Sequence, residues 1–234
     1  MNTLKHYTAL CSCLLFTLSL SAQRSTEGGL FVGMANYQGD LAPSPVAIDQ
    51  SKLALGGLYR YMMTDHIGIK GSVTWGRIAG DDRNRPGYNP RQRTWTMTNS
   101  ILEMAVHGEW FVFGTSRYGN TGLHLRQYSP FLSVGIGAAF TNPKVRVPAE
   151  DRAKLPESGA TSTFLVVPLT GGLRLDILDD FVVMLEFGSR ITFSDYLDGV
   201  SKNGRNTTND WYMFGGISFI YIISESVGGK GNRW

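Results

Sequence analysis

The sequence lacks most of the side chains that covalent, redox or metal chemistry requires. Its two cysteines, Cys11 and Cys13, lie in an apolar stretch near the N-terminus, so no disulfide or thiolate site is expected beyond that stretch. Three histidines follow it (His66, His107 and His124), none at a metal-ligand spacing from another, and no acidic run resembles a calcium loop. We therefore predict no catalytic, cofactor-binding or metal site, and no enzyme.

A weak catalytic signal surrounds His107. It shares one side of an alternating segment with Glu103 and Glu109, which is the arrangement of a base and an orienting acid. No exposed serine pairs with it in the pattern. We interpret His107 as a structural residue, and a lipid-modifying enzyme is the less favoured alternative.

The chain also lacks a strong excess of one charge. Its 22 lysines and arginines against 19 acids give a formal charge of +3, without a basic run, so neither nucleic acid nor a small-molecule substrate is predicted. Asp81–Arg83 and the arginines 85, 91 and 93 form a charged segment. We interpret it as a solvated loop that could contact lipopolysaccharide phosphates.

Long hydrophobic runs are missing as well, apart from Leu10–Leu20. Lys5 and His6 precede this stretch and small residues end it at Ala22, which is typical of a secretory signal peptide over residues 1–22. No later run approaches the 18 apolar residues of a spanning helix. The mature chain is therefore predicted to be exported, and it could cross a membrane only as a β-barrel.

What the sequence has in abundance is alternation of apolar and polar residues. In Phe181–Phe193 one side carries Phe, Val, Leu and Ile while the other carries Glu186 and Arg190, as in a strand with two unlike faces. Most such segments have 10 to 15 residues, whereas ordinary strands have about 5–6 and a tilted membrane strand about 9–11. The eight predicted strands are Gly28–Tyr37, Lys52–Met63, Ile67–Ile78, Asn99–Phe113, Tyr128–Phe140, Thr163–Ile177, Phe181–Phe193 and Asp210–Ile223.

The connections alternate in length. Thr64–His66 and Leu178–Asp180 are tight turns, and Gly114–Gln127 is longer than usual for that side. The long polar connections are Gln38–Ser51, Ala79–Thr98, Asn142–Ser162 and Ser194–Asn209. Outer-membrane barrels have short periplasmic turns and long outside loops. We predict an all-β, eight-stranded antiparallel transmembrane up-and-down barrel over residues 23–223, with periplasmic termini and a short periplasmic tail, 224–234. A soluble sheet with a solvated charged face is the alternative.

If the apolar faces contact lipid, the lumen receives a nearly balanced set of charges. They are Arg60, Lys70, Glu103, His107, Glu109, Arg174, Glu186 and Arg190. An eight-stranded barrel is just wide enough for side chains to fill it, so we predict an ion-pair plug in which Glu186 and Arg190 pair with Arg174 and other lumen charges from neighbouring strands. Aromatic residues near strand ends or on the outer face predict an interfacial girdle: Tyr37, Tyr59, Tyr61, Trp75, Trp110, Tyr128, Trp211, Tyr212 and Tyr221.

Short motifs add a family resemblance. Asn36–Leu41, Ser194–Ser201 and Asn209–Tyr212, with a signal ending Ser-Ala-Gln, are similar to the PorG-like small outer-membrane barrels of Bacteroidetes, and Gly216–Tyr221 resembles a terminal insertion signal. The resemblance implies a non-enzymatic component of the type IX secretion system that contacts outer-membrane lipids and a lipoprotein-containing periplasmic ring. It implies no cofactor. A general barrel for adhesion or envelope stability, and a small-solute channel, remain alternatives.

Overall fold

The computed structural model describes residues 25–38, 51–81, 96–116, 127–146, 162–192 and 211–225. These residues form eight strands and the short connections between some of them. No helix within these ranges is long and apolar enough to cross a membrane. The strands are β1 (Ser25–Gln38), β2 (Lys52–Met62), β3 (Ile67–Asp81), β4 (Thr96–Phe111), β5 (Tyr128–Arg146), β6 (Ser162–Asp176), β7 (Phe181–Thr192) and β8 (Trp211–Glu225).

The strands form one closed barrel in which each pairs antiparallel with the next along the chain. β1 also pairs with β8, from Gln38 opposite Trp211 to Ser25 opposite Glu225, and this pairing closes the sheet. Its register shifts between Thr26 and Glu27. The predicted all-β, up-and-down antiparallel barrel is therefore confirmed. Closure of the eight described strands leaves this sheet without a free edge.

The predicted strand positions are confirmed, and the largest error lies in the strand ends farthest from the turn Thr64–His66. β5 continues to Arg146, well past the predicted end at Phe140, and Asp81 of β3 pairs with Thr96 of β4. In β5 the sequence from Thr141 to Arg146 no longer alternates between apolar and polar residues, so the pattern did not predict this part of the strand. β8 ends at Glu225, so the first two residues of the predicted tail are in the strand. The predicted signal peptide, residues 1–22, lies outside the described residues.

Two tight turns lie at one end of the barrel. In the first, the hydroxyl oxygen of Thr64 accepts hydrogen bonds from the backbone N–H groups of His66 (3.2 Å) and Ile67 (3.0 Å). Such side-chain to backbone bonds stabilise a turn without strand partners. In the second, the N–H groups of Ile177 and Leu178 both donate to the carbonyl of Phe181 at 3.1 Å. We refer to this end as the short-turn end.

The interior has an apolar layer toward each end. Toward the short-turn end lie Met62, Phe111, Phe131, Val182, Met184, Ile220 and Ile222. Toward the opposite end lie Phe31, Ala35, Ala54, Ile78, Ile101, Ala139, Phe164, Val166, Tyr212 and Phe214. Between and beside these layers the strands point charged side chains into the lumen, and these form the candidate functional site.

Candidate functional site

The most extensive polar feature of the lumen begins at Glu27, near the start of β1. Its carboxylate accepts hydrogen bonds from Arg60 of β2 at 2.8 Å and from Arg174 of β6 at 2.8 and 3.0 Å. Arg174 also donates from Nε to Asp176 at 3.0 Å. These side chains are at most 2% exposed, so each charge depends on its protein partners for stabilisation.

The same cluster continues toward the middle of the barrel. Arg60 also donates to Glu109 of β4. The ammonium group of Lys70 lies 3.1 Å from Glu109 and 3.1 Å from Glu186, and Glu186 accepts a further hydrogen bond from Ser218 at 2.6 Å. We call this set the main network. Its seven charged members come from six strands: Glu27, Arg60, Lys70, Glu109, Arg174, Asp176 and Glu186.

A smaller group, the upper network, lies nearer the long connections. Nε of Arg190 is 3.4 Å from Glu103, and the Tyr212 hydroxyl donates to the same carboxylate at 2.5 Å. The Arg190 guanidinium also donates to the carbonyl of Gly188 at 2.7 Å and lies 4.6 Å from the ring centroid of Phe214. The arginine charge therefore has a carboxylate, a carbonyl and an aromatic face as partners.

His107 lies in the lumen among these groups but bonds to neither neighbouring glutamate. Its Nε2 is 3.0 Å from the Ser72 hydroxyl and its Nδ1 is 3.4 Å from the Ser133 hydroxyl. A serine nucleophile requires a base whose other nitrogen is oriented by an acid, and here that position holds a second serine. His107 is 2% exposed. The described residues also contain no cluster of three or more histidine, cysteine or acidic side chains suited to a metal ion.

The structure brings together all eight charged or titratable residues that the alternation predicted for the lumen: Arg60, Lys70, Glu103, His107, Glu109, Arg174, Glu186 and Arg190. Sequence reasoning missed Glu27 and Asp176, which are 1% and 4% exposed. Both follow the inward alternation of their strands. Asp176 lies within the predicted sixth strand, two residues after Arg174, and extending the predicted first strand by one residue would have found Glu27. The described lumen then holds five acids against four bases.

Two predicted details are wrong. Arg174 pairs with Glu27 and Asp176, whereas Glu186 pairs with Lys70 and Arg190 with Glu103. Tyr212 was assigned to the girdle, but it is fully buried and bonds to a lumen carboxylate, because its position in β8 alternates with the outward Trp211. Four other girdle residues are more than half exposed: Tyr59, Trp110, Tyr128 and Tyr221. The side chain of Tyr37 lies outside the described residues.

The described lumen is closely filled. Between the main and upper networks lies a cavity of about 20 Å³, which is space for a single water-sized centre. Apolar side chains above and below it add to the filling. This geometry fits the predicted plug of paired charges inside a narrow barrel.

The outer surface has the opposite character. Large apolar side chains point outward along every strand and are exposed, among them Leu30 (66%), Leu132 (59%), Ile136 (58%) and Phe187 (57%). A soluble protein rarely leaves so wide an apolar surface in water. The alternative of a soluble sheet requires the charged faces of the strands to be exposed to water. In the closed barrel these faces are buried in the lumen, which disagrees with that alternative. An apolar exterior with a polar interior is the architecture of outer-membrane barrels.

Comparisons with solved structures find similar barrels at low sequence identity. The N-terminal β-barrel domain of Pseudomonas aeruginosa OprF is 12% identical, with a TM-score of 0.41, covering 85% of this chain and 98% of that chain. Neisserial surface protein A is 9% identical, with a TM-score of 0.44 and coverages of 85% and 96%. The outer membrane protein OprG from Pseudomonas aeruginosa is 10% identical, with a TM-score of 0.39 and coverages of 86% and 92%.

None of the curated proteins compared with the chain matches it. A family model does match, from residue 5 to residue 228, which is nearly the whole chain. The protein therefore belongs to the family described as a domain of unknown function, DUF6089.

Proposed function

We propose that the protein is a non-conducting, non-enzymatic barrel of the outer membrane that anchors a periplasmic assembly in type IX secretion. The observation that carries the anchoring role is the lumen, which ion pairs and apolar layers fill. The secretion role rests on the motif resemblance. Of those motifs, residues 39–41, 194–201, 209 and 210 lie outside the described residues.

Filling by ion pairs opposes a channel because a permeating solute would have to separate buried charges. The main network joins six strands through contacts of mostly 2.8–3.1 Å between groups that are at most 9% exposed. Removing one partner of a buried ion pair costs about 3–5 kcal/mol. Opening a continuous path would disturb several such pairs at once. The barrel is therefore suited to hold a position in the membrane.

The short-turn end supplies a surface for a periplasmic partner. Ile177 and Leu178 are 43% and 60% exposed at the tip of the second turn, and Asp179 and Asp180 beside them are exposed too. Apolar tips with adjacent carboxylates suit a partner that offers an apolar contact flanked by basic residues. The first turn, Thr64–His66, lies at the same end. In the longer connection Gly114–Gln127, residues 117–126 lie outside the described residues.

A pair of measurements tests this function. The purified protein in planar bilayers should show no sustained open current, and steady conductance of the wild-type barrel would contradict the plug. In the native bacterium, deletion of the gene should block export of type IX cargo. Normal cargo export with defective adhesion or envelope integrity would instead indicate the general barrel role.

Site-specific photocrosslinking tests the contact surface. A crosslinker at Leu178 should capture a periplasmic protein of the secretion ring. The same crosslinker at Leu132, which points outward from the lipid-facing wall, is the matched control and should capture lipid. Equal protein capture from both positions, or none from Leu178, would count against the short-turn end as the contact surface.

The His107→Ala variant tests the alternative of a lipid-modifying enzyme. It should leave the acylation of lipid A unchanged, and a loss of that acylation in the variant would support the enzyme.

A further inference from the structure

The small cavity between the two networks has one hydroxyl without a partner. Thr170 of β6 is 6% exposed, and its Oγ1 has no hydrogen-bond partner among the protein atoms. It lines the cavity together with Lys70, Ser72, His107, Glu186 and Arg190. A buried hydroxyl that makes no hydrogen bond destabilises the folded protein, so a partner other than the protein atoms is expected for Thr170.

We propose that this cavity is a binding site for one ordered water molecule held by Thr170. The volume of about 20 Å³ exceeds the roughly 10–15 Å³ that a single water needs, and its lining is polar. Other polar groups in the wall already have protein partners: Ser72 bonds to His107 at 3.0 Å, and Ser218 bonds to Glu186 at 2.6 Å. The hydroxyl of Thr170 therefore identifies the position of the water.

Water fits the site better than an ion does. Lys70, Glu186 and Arg190 bring both signs of charge to the wall, and each already has an oppositely charged partner within 3.4 Å. A bound anion would increase the excess of acids in the lumen, and a bound cation would face the like charges of Lys70 and Arg190 in the cavity wall. A neutral molecule that both donates and accepts hydrogen bonds avoids both effects. Because residues of both networks line the cavity, the water lies between the main network and the upper one.

Thr170→Val tests the site because it removes the hydroxyl and nearly preserves the shape. Thr170→Ser, which keeps the hydroxyl, is the matched control. With a bound water, Thr170→Val loses favourable bonds and its urea midpoint should fall below that of Thr170→Ser. With an empty cavity, the change removes an unsatisfied group and the midpoint should rise above wild type, which would overturn the proposal.

A high-resolution crystal structure of the wild-type protein gives a second test that does not depend on any variant folding. One solvent peak within hydrogen-bond distance of Thr170 Oγ1 is expected. An empty cavity would overturn the proposal. So would an ion, which anomalous scattering from crystals grown in bromide or rubidium salts would reveal.

Discussion

Replacing Glu27 by glutamine should weaken the barrel, because it removes the carboxylate charge that two buried arginines share. Among the described residues, this carboxylate is the only acid that contacts both Arg60 and Arg174, with distances of 2.8 Å to each. Loss of one partner from a buried pair costs about 3–5 kcal/mol. Both arginines keep a second acid, Glu109 and Asp176 respectively, so we expect a loss near 3 kcal/mol.

The assay is urea unfolding of the barrel in lipid vesicles, followed by tryptophan fluorescence, with gel migration before and after boiling as a check of folding. Asp180→Asn is the matched control, because it also neutralises an acid at the short-turn end but in an exposed position. We expect the control to stay within about 0.5 kcal/mol of wild type. A Glu27→Gln barrel as stable as this control would refute the claim that the main network stabilises the fold.

The remaining predictions concern the wall, the upper network and the packing of strands. Val134→Arg places a charge on the lipid face. If the residue lies near the bilayer midplane, the free energy of unfolding in the same vesicle assay should fall by about 2–4 kcal/mol. An unchanged free energy of unfolding would contradict the lipid-facing assignment. Tyr212→Phe removes a hydrogen bond to a buried carboxylate and should cost about 1.5–3 kcal/mol, whereas the exposed Tyr221→Phe should have no effect. Gly172→Ala would press a methyl group into a backbone carbonyl of β7 and should cost about 1–3 kcal/mol, whereas Gly57→Ala meets nothing within 4 Å and should be tolerated.

The strands and their faces could be predicted because the signal is local. Alternation along one segment shows which side chains share a face. In a membrane barrel one face of each strand contacts lipid and the other faces the lumen, so one rule assigns the faces of all eight strands. For this reason residues as distant as Arg60 and Arg190 were placed in one lumen without knowledge of any contact. Glu27 was missed because apolar alternation becomes weak at a strand end.

The pairing of the charges could not be predicted in the same way. Which carboxylate faces which guanidinium depends on the stagger between all eight strands, and that stagger is set by barrel closure. Glu186 and Arg190 are four residues apart on one face, yet they contact different networks. Tyr212 shows the same limit. A tyrosine near a strand end fits an interfacial girdle. Only the register of Tyr212 in β8 turns its side chain toward Glu103.

The distribution of the main network explains why a barrel of this kind would place its charges inside. In a bilayer the apolar exterior gains little by contacting other apolar groups, so the exterior cannot decide how the strands close. The lumen can decide how the strands close. Until a strand that contributes a charge is in place, the buried partner of that charge on another strand is unpaired. Here six strands contribute, and Ser218 adds the seventh, β8, through Glu186. The network therefore favours only the complete barrel over partly closed forms, and such all-or-none rigidity is what an anchor requires and a gated channel would have to avoid.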